Sequence, residues 1–294
     1  MPMPIPAPRA NGMTTTTPMP LYWARHGREG GPPLLVLHGG PGASHEYLLP
    51  QMLRLGATND LLFYDQRGGG RSRTDDPTPV TWQVQVGDLA AVIEELSRDR
   101  PLTIVGYSWG ALLALLYTLE VAAGRVPVPP ARLVLIDPAP VNRTWRAAFE
   151  EEFQRRQAGD AVRALREELA ASGLREADAV AYRQRQFELS VAGYFADPRR
   201  ARDLTPFRIT GRVQQSVWES LGDFDLVPGL HRVPPVPTLL VHGWHDPIPV
   251  ESSFAVARAL HARCVVLEAS GHVPYVEQPD TLFATIEQFL NETS

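Results

Sequence analysis

The segment Gly106-Tyr107-Ser108-Trp109-Gly110 constrains this chain more than any other. It follows the apolar run Leu102-Thr103-Ile104-Val105 and opens the stretch Ala111 to Leu119, so a G-x-S-x-G pentapeptide falls where strand becomes helix. A chain that turns this sharply crowds its own backbone. Side chains at positions 106 and 110 would collide with the flanking strand or helix, and glycine avoids both collisions. The turn lifts Ser108 clear of the sheet and marks it as a candidate nucleophile.

Around that turn the chain alternates. Four short β-rich runs, Leu34 to Leu37, Leu61 to Tyr64, Leu102 to Val105 and Leu133 to Ile136, are each followed by glycine-rich or polar punctuation. Helical stretches lie between them, such as Trp82 to Leu96 with Val86, Leu89, Ala90 and Ile93 on one face. This pattern predicts an α/β fold with a mostly parallel sheet covered by helices on both faces. From about Asn142 to Asp225 no strand is expected, and arginine, glutamate and alanine recur at helical spacing, as in Thr144 to Gln157 and Asp160 to Ala171. Strands and helices then alternate again: Thr238 to Val241, Glu251 to Leu260, Cys264 to Leu267 and Pro279 to Leu290. A helical block that interrupts one sheet reads as an inserted cap. The expected divisions are therefore a core of residues 21–140 and 231–294 and a helical cap of 141–230. Residues 1–20, where proline alternates with small and polar residues, are expected to form a flexible arm.

Composition excludes several chemistries. All 28 basic side chains are arginine, so a Walker-type phosphate loop, a lysine Schiff base and a Ser-Lys dyad are ruled out. A formal charge of −5 supplies no basic footprint for nucleic acid. No run reaches the roughly 18 apolar residues of a membrane span. The lone Cys264 cannot form an internal disulfide and is expected to be buried in a strand, which points to a reducing compartment, the cytoplasm.

A serine hydroxyl needs a base to take its proton, and the base works best when a carboxylate orients it. Asp246, in His242-Gly243-Trp244-His245-Asp246, and His272, in Ser270-Gly271-His272, each follow a predicted strand. In a parallel sheet the carboxyl ends of the strands share one edge, so Ser108, Asp246 and His272 can meet there. His242 and His245 compete for the role of base. His242, however, ends its strand, and His245 sits beside the acid on the same loop. His38-Gly39-Gly40-Pro41-Gly42 follows another strand end, and the Gly40 and Trp109 N–H groups fit the two donors that an oxyanion requires.

Together, HGGPG at 38–42, Asp65-Gln66-Arg67-Gly68-Gly69-Gly70-Arg71-Ser72 and the pentapeptide at 106–110 resemble the proline iminopeptidase branch of the α/β-hydrolases. The likeness runs from about Leu21 to Pro138 and again from Thr238 onward. It implies the α/β-hydrolase fold, Ser108 as nucleophile with Asp246 and His272, and Gly40 with Trp109 as oxyanion donors. It also implies cleavage of the N-terminal peptide bond of short peptides through an acyl-enzyme, with no metal or organic cofactor.

In that branch cap glutamates hold the substrate's free amine. Here Glu188 and Glu219 are the candidates, although either is equally an ordinary solvated helix glutamate. Pro247 departs from relatives that carry an acid just after the triad aspartate. A carboxylesterase or a carbon–carbon bond hydrolase on the same scaffold is the first alternative. The second is a receptor-like protein that keeps the pocket with little turnover. A small peptide or ester is the expected partner, with no nucleic acid or membrane.

Overall fold

Alternation of side chains along eight strands creates two separate apolar layers, one on each side of a single sheet. The computed structural model describes residues 5–97 and 99–292. The strands are β1 Ala10–Met13, β2 Tyr22–Gly27, β3 Pro33–Leu37, β4 Asp60–Tyr64, β5 Thr103–Tyr107, β6 Arg132–Ile136, β7 Thr238–Gly243 and β8 Arg263–Leu267. They lie in the order β1-β2-β4-β3-β5-β6-β7-β8. Pairings β1–β2 and β2–β4 are antiparallel and all others are parallel.

Leu35, Leu62, Ile104, Leu135 and Leu240 point into one layer. It is completed by α1 (Trp82–Ser97) and α2 (Trp109–Ala122). Leu34, Phe63, Val105, Ile136 and Val241 point into the other. Ten consecutive residues of α2, Trp109 to Thr118, are buried, which explains why that helix is apolar all round.

Between β6 and β7 the chain leaves the sheet and forms only helices. These are α3 Arg143–Gln157, α4 Asp160–Ala171, α5 Leu174–Ala177, α6 Ala179–Val191, α7 Gly211–Leu221 and α8 Val227–Leu230, with two short 3-10 helices, Ala192–Tyr194 and Pro198–Asp203, between α6 and α7. The two ends of this cap are tied to each other: Arg143 N–H donates to Phe224 O at 3.0 Å and Leu226 N–H to Val141 O at 3.0 Å. The insertion therefore leaves and rejoins the sheet at one place. After β7 follow α9 Val250–Leu260, then β8, α10 Pro274–Glu277 and α11 Pro279–Glu292. Leu282, Phe283, Ile286 and Phe289 of α11 cover the second layer.

Two expectations need correction. Residues 1–4 lie outside the described residues, but the supposed flexible arm contains β1, paired with β2 from Ala10 to Met13. Beyond it, the Thr15 and Thr16 amides donate to the Glu95 carboxylate at 2.9–3.0 Å. Paired backbone and a shared carboxylate hold the segment against the sheet edge. Cys264 lies in β8 as expected but is only half-buried; burial pushes its thiol up to about 11. Among the described residues no helix is long and apolar enough to cross a membrane.

Candidate active site

Ser108 has φ 54° and ψ −118°, a backbone conformation that non-glycine residues rarely adopt. Its neighbours make it possible. A Cβ at Gly106 would lie 2.6 Å from the Ala111 Cα, and one at Gly110 would lie 2.3 Å from the Leu37 carbonyl oxygen. The turn is held by the Ser108 N–H donating to Ile136 O at 2.9 Å, and the Ser108 carbonyl accepts from Ala111, Leu112 and Ala139. The hydroxyl is left facing the ends of β7 and β8.

Those ends deliver the other two residues. His272 Nε2 lies 2.9 Å from Ser108 Oγ, and its Nδ1 lies 2.7 Å from Asp246 Oδ2. Asp246 Oδ1 accepts from the Ile248 N–H at 2.7 Å, so both carboxylate oxygens are occupied. The histidine backbone is fixed from two sides: its N–H donates to Tyr194 O of the cap at 2.7 Å, and its carbonyl accepts from Tyr107 Oη at 2.9 Å. The rings of Tyr107 and Tyr194 pack 5.3 and 5.1 Å from the imidazole. Cap and sheet thus share the placement of one side chain.

Burial pushes the Asp246 carboxyl up, but His272, His242 and the Ile248 amide outweigh it, and the group sits below its ordinary range. Asp137, which follows β6, behaves in the opposite way. Burial and then the Asp246 charge raise it well above the carboxylate range. His242 is wholly buried between Ser253 Oγ at 2.9 Å and Ile248 O at 3.1 Å. His245 lies on the loop, where its carbonyl accepts from Arg156. Neither imidazole is brought to Ser108.

Gly40 has φ +58° and, with Trp109, lines the cavity in front of Ser108. Neither amide has an acceptor among the described residues. The neighbouring Gly39 N–H is already committed, donating to Tyr47 Oη at 2.7 Å. Gln66 links the segments that carry these two amides, since its Nε2 donates to His38 O at 2.8 Å and its Oε1 accepts from Trp109 Nε1 at 2.8 Å.

Two cavities open beside Ser108. One, about 650 Å³, is lined by Trp109, Arg146, Gln215, Trp218 and Glu219. The other, about 380 Å³, is aromatic, with Tyr47, Phe153, Phe187, Tyr194 and Phe207. Glu219 accepts from Gln215 Nε2 at 2.7 Å on the wall of the first. Glu188 is not brought to either cavity. It is buried on another face of α6, where Arg185 and Gln184 hold its carboxylate at 2.5 and 3.1 Å, and it lines a small separate pocket.

The model of the alpha/beta hydrolase family matches residues 34–285. The chain belongs to the α/β-hydrolase family. It is 26% identical over 282 residues to a proline iminopeptidase of Saccharolobus solfataricus, covering 88% of this chain and 84% of the relative. It is 28% identical over 277 residues to a proline iminopeptidase of Heyndrickxia coagulans, covering 89% and 91%. Among solved structures, a proline iminopeptidase-related protein from Thermus thermophilus superposes with a TM-score of 0.70 at 23% identity, covering 96% and 97%.

In this α/β-hydrolase, sequence reading overlooked Gln66, Asp137 and Tyr194. Asp137 follows a strand just as Asp246 does, so the same signal could have found it. Gln66 stood inside a quoted motif with no role, and nothing local marks Tyr194. Asp137, His242 and Asp246 could in principle offer one metal ligand each, their atoms lying within 4.8 Å of one another. Both nitrogens of His242 and both oxygens of Asp246 already have protein partners, and Asp137 Oδ1 accepts from the Gly243 N–H, so of these atoms only the buried Asp137 Oδ2 has no partner among the described residues.

Proposed function

We propose that this chain is a serine hydrolase that cleaves the N-terminal peptide bond of short peptides through an acyl-enzyme. Ser108 attacks the carbonyl, His272 takes its proton and returns it to the leaving amine, and Asp246 holds the imidazole in the tautomer with Nε2 free to accept. The Gly40 and Trp109 amides receive the developing oxyanion. The observation that carries this reading is the hydrogen-bonded series Ser108 Oγ, His272, Asp246, at 2.9 and 2.7 Å, on the wall of a cavity of about 650 Å³.

The aminopeptidase part rests on the two proline iminopeptidase relatives and on Glu219, a carboxylate placed to meet a free ammonium. A carboxylesterase is the competing reading. It is favoured by Glu188 standing outside the cavity, which leaves one acid where a paired set was expected.

The test offers aminoacyl arylamides with free and with blocked amino termini, alongside p-nitrophenyl esters. Preference for the free amine, lost in Glu219→Gln through a raised KM, supports the peptidase. Turnover of esters alone removes the peptidase reading and keeps the hydrolase. An activated serine probe that labels Ser108→Ala as well as the native protein would overturn both.

A further inference from the structure

The larger cavity carries a cation that the proposed chemistry does not use. Arg146, near the start of α3, lines the wall shared by Ser108 and Trp218. Its guanidinium carbon lies over the Trp218 ring, 3.8 Å from the centroid, and Trp218 in turn packs edge-on against Trp109 at 5.5 Å. One edge of the group is clamped: Nε donates to Glu150 Oε1 at 2.8 Å, and Nη2 lies 2.8 Å from the same oxygen. The remaining nitrogen, Nη1, is buried and has no acceptor among the described residues.

A buried charged donor with no partner is costly unless a bound group completes it. Stacking on Trp218 and the Glu150 clamp fix the plane of the guanidinium, so little ordering is needed when an acceptor arrives. Glu150 already offsets much of the charge, and one nitrogen remains to donate. That set suits a monoanionic carboxylate rather than a phosphate dianion, which calls for a fully available fork. Glu219 on the same wall excludes a surplus of positive potential.

We infer that Arg146 is a specificity-determining residue that binds a carboxylate of the substrate in the cavity beside Ser108. The kinetic consequence rests on the reading of Ser108 as nucleophile; the binding consequence does not. With a free amine at Glu219, the substrate class that satisfies both side chains is zwitterionic, as a dipeptide is.

Two substrate pairs test it, one with the charge on each side of the scissile bond: mono-p-nitrophenyl adipate against p-nitrophenyl hexanoate, and 4-carboxyphenyl acetate against 4-carbamoylphenyl acetate. The carboxylate member of at least one pair should have about tenfold higher kcat/KM, carried by KM, the scale of one charge-assisted hydrogen bond. The two members should converge in Arg146→Gln, and part of the preference should return in Arg146→Lys, which a purely structural role would not produce. No preference in either pair, or a preference that survives Arg146→Gln, overturns the inference. If the native protein turns over none of these esters, the nucleophile reading fails separately. Calorimetric titration with adipate then decides: binding lost in Arg146→Gln upholds the carboxylate site, and no binding to the native protein overturns it.

Discussion

The carboxyl groups of Asp137 and Asp246 follow adjacent parallel strands, flank the same buried imidazole, His242, at 3.8 and 3.9 Å, and are shifted in opposite directions. Asp246 is held below the ordinary carboxylate range because His272, His242 and the Ile248 amide outweigh its burial; Asp137 is raised above it because burial and the Asp246 charge outweigh the Gly243 amide.

The upward shift of Asp137 sets a pH dependence. Asp137 has a folded pKa above its unfolded one, so the native state holds a proton that the unfolded chain releases. Stability therefore falls as pH rises above the unfolded carboxylate range, near 4. Asp137→Asn keeps an acceptor for the Gly243 N–H, now at 2.7 Å, and removes this slope. Urea midpoints of native and variant protein should diverge in the variant's favour as pH rises above about 4. A constant difference would mean that Asp137 is not raised in the native state. Asp246→Asn should instead lower kcat by about 10⁴, the scale seen when a triad histidine loses its orienting carboxylate.

Gln66 should matter through geometry rather than contact. Its amide joins His38, on the loop that carries Gly40, to the Trp109 indole. Gln66→Leu releases both and should lower kcat roughly tenfold to a hundredfold with little change in KM, since misplaced donors act mainly on the transition state. Steady-state kinetics on one ester suffices, and an unchanged kcat would refute the role.

Gly110 sits where a Cβ would lie 2.3 Å from the Leu37 carbonyl oxygen and 2.7 Å from that of His38, both backbone atoms. Gly110→Ala should therefore push α2 away from β3 and destabilise the fold by about 3 kcal/mol or more, the scale of severe overpacking. Gly87, with nothing within 4 Å of its would-be Cβ inside α1, should tolerate alanine and gain about 0.5–1 kcal/mol. Thermal melts of the two variants must move in opposite directions for this to stand.

His38 is fully buried, and desolvation lowers its pKa to about 4. The unfolded chain takes up a proton near pH 6.5 that the native state refuses. Stability is thus complete above that value and lost as pH falls toward 4, at about 1.4 kcal/mol per unit. His26, lowered to about 4 chiefly by burial, adds to the same window. Urea midpoints should decline between pH 6.5 and pH 4.5, and His38→Gln should flatten part of that decline. Equal slopes in the two proteins would assign it elsewhere.

Most of the sheet was legible in the chain because β3 to β8 are short apolar runs between breakers, and buried parallel strands carry no polar alternation to confuse the reading. β2 was missed. Its inward positions hold Tyr22, Ala24 and His26 rather than branched residues, so its alternation is weak as a sequence signal. β1 was missed because Asn11 and Gly12 gain a strand conformation only from pairing with β2.

The sequence by itself determined the turn at Ser108 and the family of the chain. Those depend on glycine spacing and strand order, which are local or set by topology. Tertiary structure alone decided which acids face the cavity. Glu188 and Glu219 look alike as helix glutamates, yet α6 gives one to Arg185 while α7 leaves the other on the wall of the cavity beside Ser108. It also decided that Asp137 shares its burial with Asp246 and that Tyr194 holds His272. Charge and orientation depend on what surrounds a side chain, and for Asp137 and His272 those surroundings come from segments more than 70 residues away in the chain, the loop after β7 for the first and the cap for the second.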